Sequence, residues 1–152
     1  RRVFGLFHGI SVEKPAPDRM RAGMLGCRPR VPVTDSTHDF VHRLVDSHPW
    51  LRPALVRHLQ ACGELLPHVL MGDITRVAVA LHLMGSERKD AREELRKLLM
   101  SFSWAFIHDD WDVGNMIGVS FLADLPRPNE KGADIVEALP LVLAQALEDL
   151  RG

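Results

Sequence analysis

Leu66, Leu70, Ile74, Val77, Leu81 and Met84 recur at intervals of four, four, three, four and three residues. That spacing keeps one apolar stripe on one side of a helix. Leu65, Val69, Ala80 and Leu83 add a second apolar side to the same segment. A helix apolar over most of its circumference must be covered by others, so residues 65–84 are expected to be the central buried helix of an all-α fold. Gly85 is expected to end it.

The neighbouring segments carry the same period. Asp35 or Ser36 can cap a helix over about 37–47 with Phe40, Val41, Leu44 and Val45 inward, and His48-Pro49-Trp50 breaks it. Pro53 suits the first turn of a second helix, with Leu55, Leu59 and Cys62 inward and Gly63 as its stop. Ser86 can cap a helix over about 87–107, buried through Ala91, Leu95, Leu98, Phe102 and Phe106, with Glu93 and Lys97 paired outside. Val113, Ile117 and Phe121 predict a further helix, capped at Asp112. Residues 126–132 form a loop, and Pro140 opens a final helix after Ile135 and Leu139, with Val142, Ala146 and Leu150 inward. The expectation is a single compact domain over residues 35–152, with five to seven helices.

A chain of 152 residues suffices for one such domain and is too short for two ordinary ones. Its 46% hydrophobic and 26% charged residues suit a globular protein, and no apolar run approaches the roughly 20 residues of a membrane span. Charge divides it. Residues 1–30 carry seven basic and two acidic side chains, a net of +5, whereas residues 31–152 carry twelve basic and eighteen acidic, a net of −6. A body of that sign repels phosphate, which excludes nucleic acid, including helix-turn-helix DNA binding, as the expected partner.

Residues 1–34 lack a periodic apolar face and are read as a basic, disordered tail. Arg1-Arg2-Val3-Phe4 and Met24-Leu25-Gly26-Cys27 have the outline of export signals, but His8, Glu13, Lys14, Pro15 and Asp18 to Arg21 stand where an apolar stretch belongs. The plainer reading is an upstream extension, with Met20 or Met24 as the first native residue. Cys27 and Cys62 form no CxxC, zinc-finger or disulfide pattern, and a reducing, cytoplasmic setting is the expectation.

Several residues have the chemistry for a site. Glu64, His68, Thr75 and His82 fall within about 40° of one another around the third helix, with Gly72 leaving room for close approach. A polar stripe on a central helix must be satisfied by a partner helix, water, metal or substrate. Glu64 and His68 at i,i+4 suit a carboxylate–imidazole acid/base pair, or a bonded pair within the core. Asp73 and Arg76, one turn apart, suit an ion pair with each other or an adjacent helix, or an Arg placed for a ligand carboxylate. His108, Asp109, Asp110 and Asp112 offer oxygen and nitrogen donors, yet no HExxH, ExxH or DxDxDG spacing supports a metal. Capping of the next helix by Asp110 or Asp112 explains the cluster more simply. His38, His42 and Asp46 read as a solvated helix face, and Trp50, Trp104 and Trp111 as core or rim packing. No metal and no cofactor is called for.

Two stretches carry a resemblance. Gly63-Glu64-Leu65-Leu66-Pro67-His68, running into Gly72-Asp73-Ile74-Thr75-Arg76, is similar to the central signature of a family of small bacterial proteins filed as a domain of unknown function, and Asn115 to Leu122 resembles its second signature. The likeness covers roughly 38–150. It implies no activity, substrate or catalytic residue; what it does imply is similarity to small acidic immunity or accessory proteins that bind another protein. The leading expectation is therefore a non-enzymatic, immunity-like or regulatory protein-binding domain. The alternative is a small metal- or acid/base-dependent enzyme using Glu64, His68 and residues 108–112.

Overall fold

The computed structural model describes residues 35–152; the expected tail at 1–34 lies outside them. The described residues form an all-α domain without strands. Helix α1 spans Ser36–Ser47, and the Asp35 carboxylate caps it by accepting from the Thr37 N–H at 3.0 Å. A 3₁₀ turn, Pro49–Leu51, leads into α2, Arg52–Cys62, which ends at Gly63 with φ of 76°, a left-handed value that favours glycine. Then come α3, Pro67–Met84, and α4, Lys89–His108. Helix α5, Trp111–Met116, runs on into a π-helical segment, Ile117–Leu122. A 3₁₀ turn, Ala133–Ala138, precedes α6, Leu141–Arg151.

Helix α3 packs against α1, α2, α4, α5 and the π segment, so it is the central element. The core it organises includes Phe40, Leu44, Leu70, Met71, Ile74, Leu98, Phe102, Met116, Ile117, Phe121 and Leu143. Phe102 joins two layers, its ring 6.1 Å from Phe40 and 4.4 Å from Phe121. Covering of α3 is one-sided, however. Leu66, Val69, Leu83 and Met84 are exposed, so the second apolar side faces outward and the stripe is buried mainly over Leu70 to Ala78.

Other local expectations change as well. Pro67 opens α3, and residues 65 and 66 precede it in extended backbone. In α2 the buried residues are Ala54 and His58, while Leu59 and Cys62 are exposed: the covered face is rotated from the expected stripe, with Leu55 partly buried at its edge. Ser86 caps nothing: its hydroxyl donates back to the Leu83 carbonyl, and α4 begins without a side-chain cap. Glu93 pairs with Arg96 and Glu94 with Lys97, each at i,i+3. In α6, Leu143 and Leu147 replace Val142 and Leu150 as the fully covered residues.

The π segment explains how one stretch buries so much. The Ala123 N–H donates to the Gly118 carbonyl five residues back, at 3.0 Å. The wider turn lets Ile117, Gly118, Ser120, Phe121 and Leu122 all face inward. Only Val119 of the segment is exposed.

Candidate functional site

The polar stripe on α3 is met largely by the π segment. His68 Nδ1 lies 2.7 Å from Ser120 Oγ. The Thr75 hydroxyl, buried, donates to Met71 O at 3.0 Å and faces Phe121 O at 3.4 Å. Gly72 lies close to the turn that follows the π segment, where a Cβ would stand 3.1 Å from Asp124 Oδ2. His82 reaches Asp134 at 3.1 Å, tying α3 to the 3₁₀ turn. Ser120 is thus a partner that sequence spacing concealed, since a π turn changes which residues of a helix point one way.

Glu64 does not join this arrangement. It is exposed in the turn before α3, where four residues do not make one helical turn, and it forms no pair with His68. Asp73 pairs with Arg76, and its other oxygen lies 3.8 Å from His58 Nδ1. His58, almost fully buried, accepts the Leu66 N–H on Nε2 at 3.0 Å, so a neutral ring carries its proton on Nδ1, toward Asp73. This imidazole holds the start of α3 against α2. It borders the apolar stripe of α2, at i+3 from Leu55 and i−4 from Cys62, and nothing in that spacing marks the role.

The acidic knot between α4 and α5 disperses. Asp109 accepts from Arg43 of α1 at 2.7 Å. Asp110 caps α5 through the Val113 N–H at 3.1 Å, in the role also considered for Asp112, which stays exposed. His108 turns to Trp104, ring centroids 4.7 Å apart. His68, Asp110, Asp112 and Asn115 do line one cleft of about 630 Å³, with Asp35 and Thr37 opposite. There the Thr37 hydroxyl and N–H hold the Asp35 carboxyl below its ordinary pKa. Among the described residues no three His, Cys, Asp or Glu side chains stand together as a metal site. His38, read as part of a solvated face, instead turns Nε2 to the Leu65 carbonyl at 3.1 Å, while His42 and Asp46 are exposed.

A further feature lies outside the polar set. On α4, Met100, Trp104 and Ile107 are 51%, 58% and 57% exposed, and Trp111 at the start of α5 is 65% exposed. At 100° per residue the three on α4 lie within roughly 60° of one another. They form a helical seam left without a covering helix.

A family model described as a domain of unknown function (DUF7674) matches residues 41–151. The chain belongs to this family. The match begins inside α1, one residue after Phe40, and ends with α6, so the family domain holds nearly all of the core, the π segment and the exposed seam. No curated protein and no solved structure matches the chain. Within the described residues of the family domain, no helix is long and apolar enough to cross a membrane.

Proposed function

We propose that this DUF7674 domain is a non-enzymatic protein-binding domain, immunity-like or regulatory in role, which docks its partner over the seam of α4 and α5. The observation that carries this reading is the exposure of Met100, Trp104 and Ile107 on one face of α4, with Trp111 exposed at the start of α5. Scattered exposed apolar residues are ordinary, but contiguous ones with two tryptophans have the composition of an interface core. The dispersal of Glu64, Asp73, Arg76 and His108 supports the same reading. A bacterial, cytoplasmic setting is part of the proposal and rests on the resemblance and on the spacing of Cys27 and Cys62.

The test is capture from the source cell with the full chain and with Trp104→Ala/Trp111→Ala. Both side chains are exposed, so the double variant keeps its helical circular dichroism and melting temperature. Wild type is expected to retain a stoichiometric protein that the variant loses. Retention by a folded variant, or no captured protein, defeats the reading. A small acid/base enzyme is the second reading, favoured by the shared cleft of His68, Asp110 and Asp112. Its mark is an activity of the purified chain that His68→Ala abolishes.

A further inference from the structure

We infer that the segment received by the seam of α4 and α5 is a cationic amphipathic one, with Lys or Arg beside large apolar side chains; the inference rests on the protein-binding reading above. The apolar part of the surface is built. Phe40 and Leu44 of α1 face Met100 and Trp104 across a groove of about 460 Å³, edged by Arg43 and Asp109. Along the other edge of the seam a smaller recess of about 210 Å³ gathers Ile107, Trp111, Val119 and Leu150, with Asp109 and Asp110 also lining it. Grooves of this kind take the apolar face of a helix from another chain.

The rim identifies the partner's charge. Asp109 and Asp110 also line a cleft of about 500 Å³ with Asp39, Asp46, His42 and Arg43, so the apolar surface opens onto a lining in which carboxylates outnumber basic groups. Asp110 continues into the next cleft with Asp35 and Asp112. Arg43 neutralises Asp109, while Asp39, Asp46 and Asp112 have no ion-pair partner among the described residues. Residues 31–152, which include the described domain, carry a net charge of −6. Such a rim steers a cationic segment in and repels an acidic one. The exposed Trp111 indole, and the part of the Trp104 indole not turned to His108, add sites on which an Arg or Lys can stack. A second copy of the chain fits poorly, because a two-fold contact over this patch brings its acidic rim against itself.

The experiment is selection from a random peptide display library on the immobilised full chain, followed by binding of the best synthetic peptide. Expected are sequences pairing Lys or Arg with Trp, Leu or Phe, whose binding fails with Trp104→Ala. Asp39→Asn/Asp46→Asn/Asp112→Asn, which removes charge without touching a cap, should weaken the peptide about tenfold or more, as should raising salt from roughly 50 to roughly 300 mM. Trp104-dependent peptides without basic residues, or indifferent to the triple change, overturn this inference and leave the docking reading standing. Absence of any Trp104-dependent peptide overturns both. Two further outcomes overturn a separate cationic partner: a concentration-dependent dimer that Trp104→Ala dissociates, and carbodiimide cross-links from Lys14 to Asp39, Asp46 or Asp112 in the free chain, which would make residues 1–34 the occupant.

Discussion

Leu70 and Leu81 lie on the same sequence stripe of α3, and the structure separates them. Leu70 is 1% exposed at the centre of the core, whereas Leu81 is only partly covered near the helix end. Replacing either by alanine removes three carbon atoms, about 2.4 kcal/mol at roughly 0.8 kcal/mol for each buried methylene. Leu70 lies with Met71, Ile74 and Phe102 in the fully buried part of the core, so a cavity term adds to the transfer loss and the total reaches about 3–4 kcal/mol. At Leu81 no closed cavity forms and only part of the transfer loss applies, giving about 1 kcal/mol. Urea unfolding of the full chain, followed by helical circular dichroism, measures both. The Leu70→Ala midpoint should fall steeply at unchanged slope, with Leu81→Ala between it and wild type. A Leu81→Ala loss equal to that of Leu70→Ala, or a Leu70→Ala loss below about 1 kcal/mol, would refute the assignment of the core to the first half of α3.

Three further outcomes are expected. Burial pushes the His48 imidazole below its ordinary pKa, against a smaller opposing pull from Glu94, so the native state binds fewer protons than the unfolded chain. Stability should therefore fall as pH drops from about 6.5 through the lower native value, and His48→Gln should flatten that dependence in denaturation series at several pH values. Glu64→Ala should stay within about 0.5 kcal/mol of wild type, whereas a double-mutant cycle should couple His68 to Ser120 by about 1 kcal/mol; coupling of His68 to Glu64 instead would contradict the geometry. Gly132→Ala should cost about 1–3 kcal/mol by thermal melting, since φ is 83° and the new Cβ would stand 2.8 Å from Val79 Cγ1.

What the amino-acid order reveals is set by periodicity. Helix α1 and most of α4 were legible because their apolar residues form one face that is buried as a whole. The stripe of α3 was legible as a helix, but not the extent of its covering: hydrophobicity states that Val69, Leu83 and Met84 prefer to leave water, not that another helix is there to receive them. Trp104 and Trp111 were ambiguous for the same reason. The role of His58 is not legible in α2 alone, because its partners, the Leu66 N–H and Asp73, lie in a different helix and the turn before it. Ser120 is hidden because a spacing of 3.6 residues per turn does not describe the segment that carries it, which turns more slowly.

A π turn is an α-helix holding one residue more than its phase requires, and this gives the stretch from Ile117 to Leu122 an unusual tolerance. A deletion inside an ordinary buried helix rotates everything beyond it by about 100° and turns apolar side chains to water. Removal of Val119, the exposed residue of the segment, would instead let the wide turn close to α-helical pitch while keeping the residues before and after it in phase. What would be given up is local: the orientation of Ser120 toward His68 and of Phe121 O toward Thr75. Chain length at this point is thus separable from the fold, and the extra residue sets the handshake between two helices.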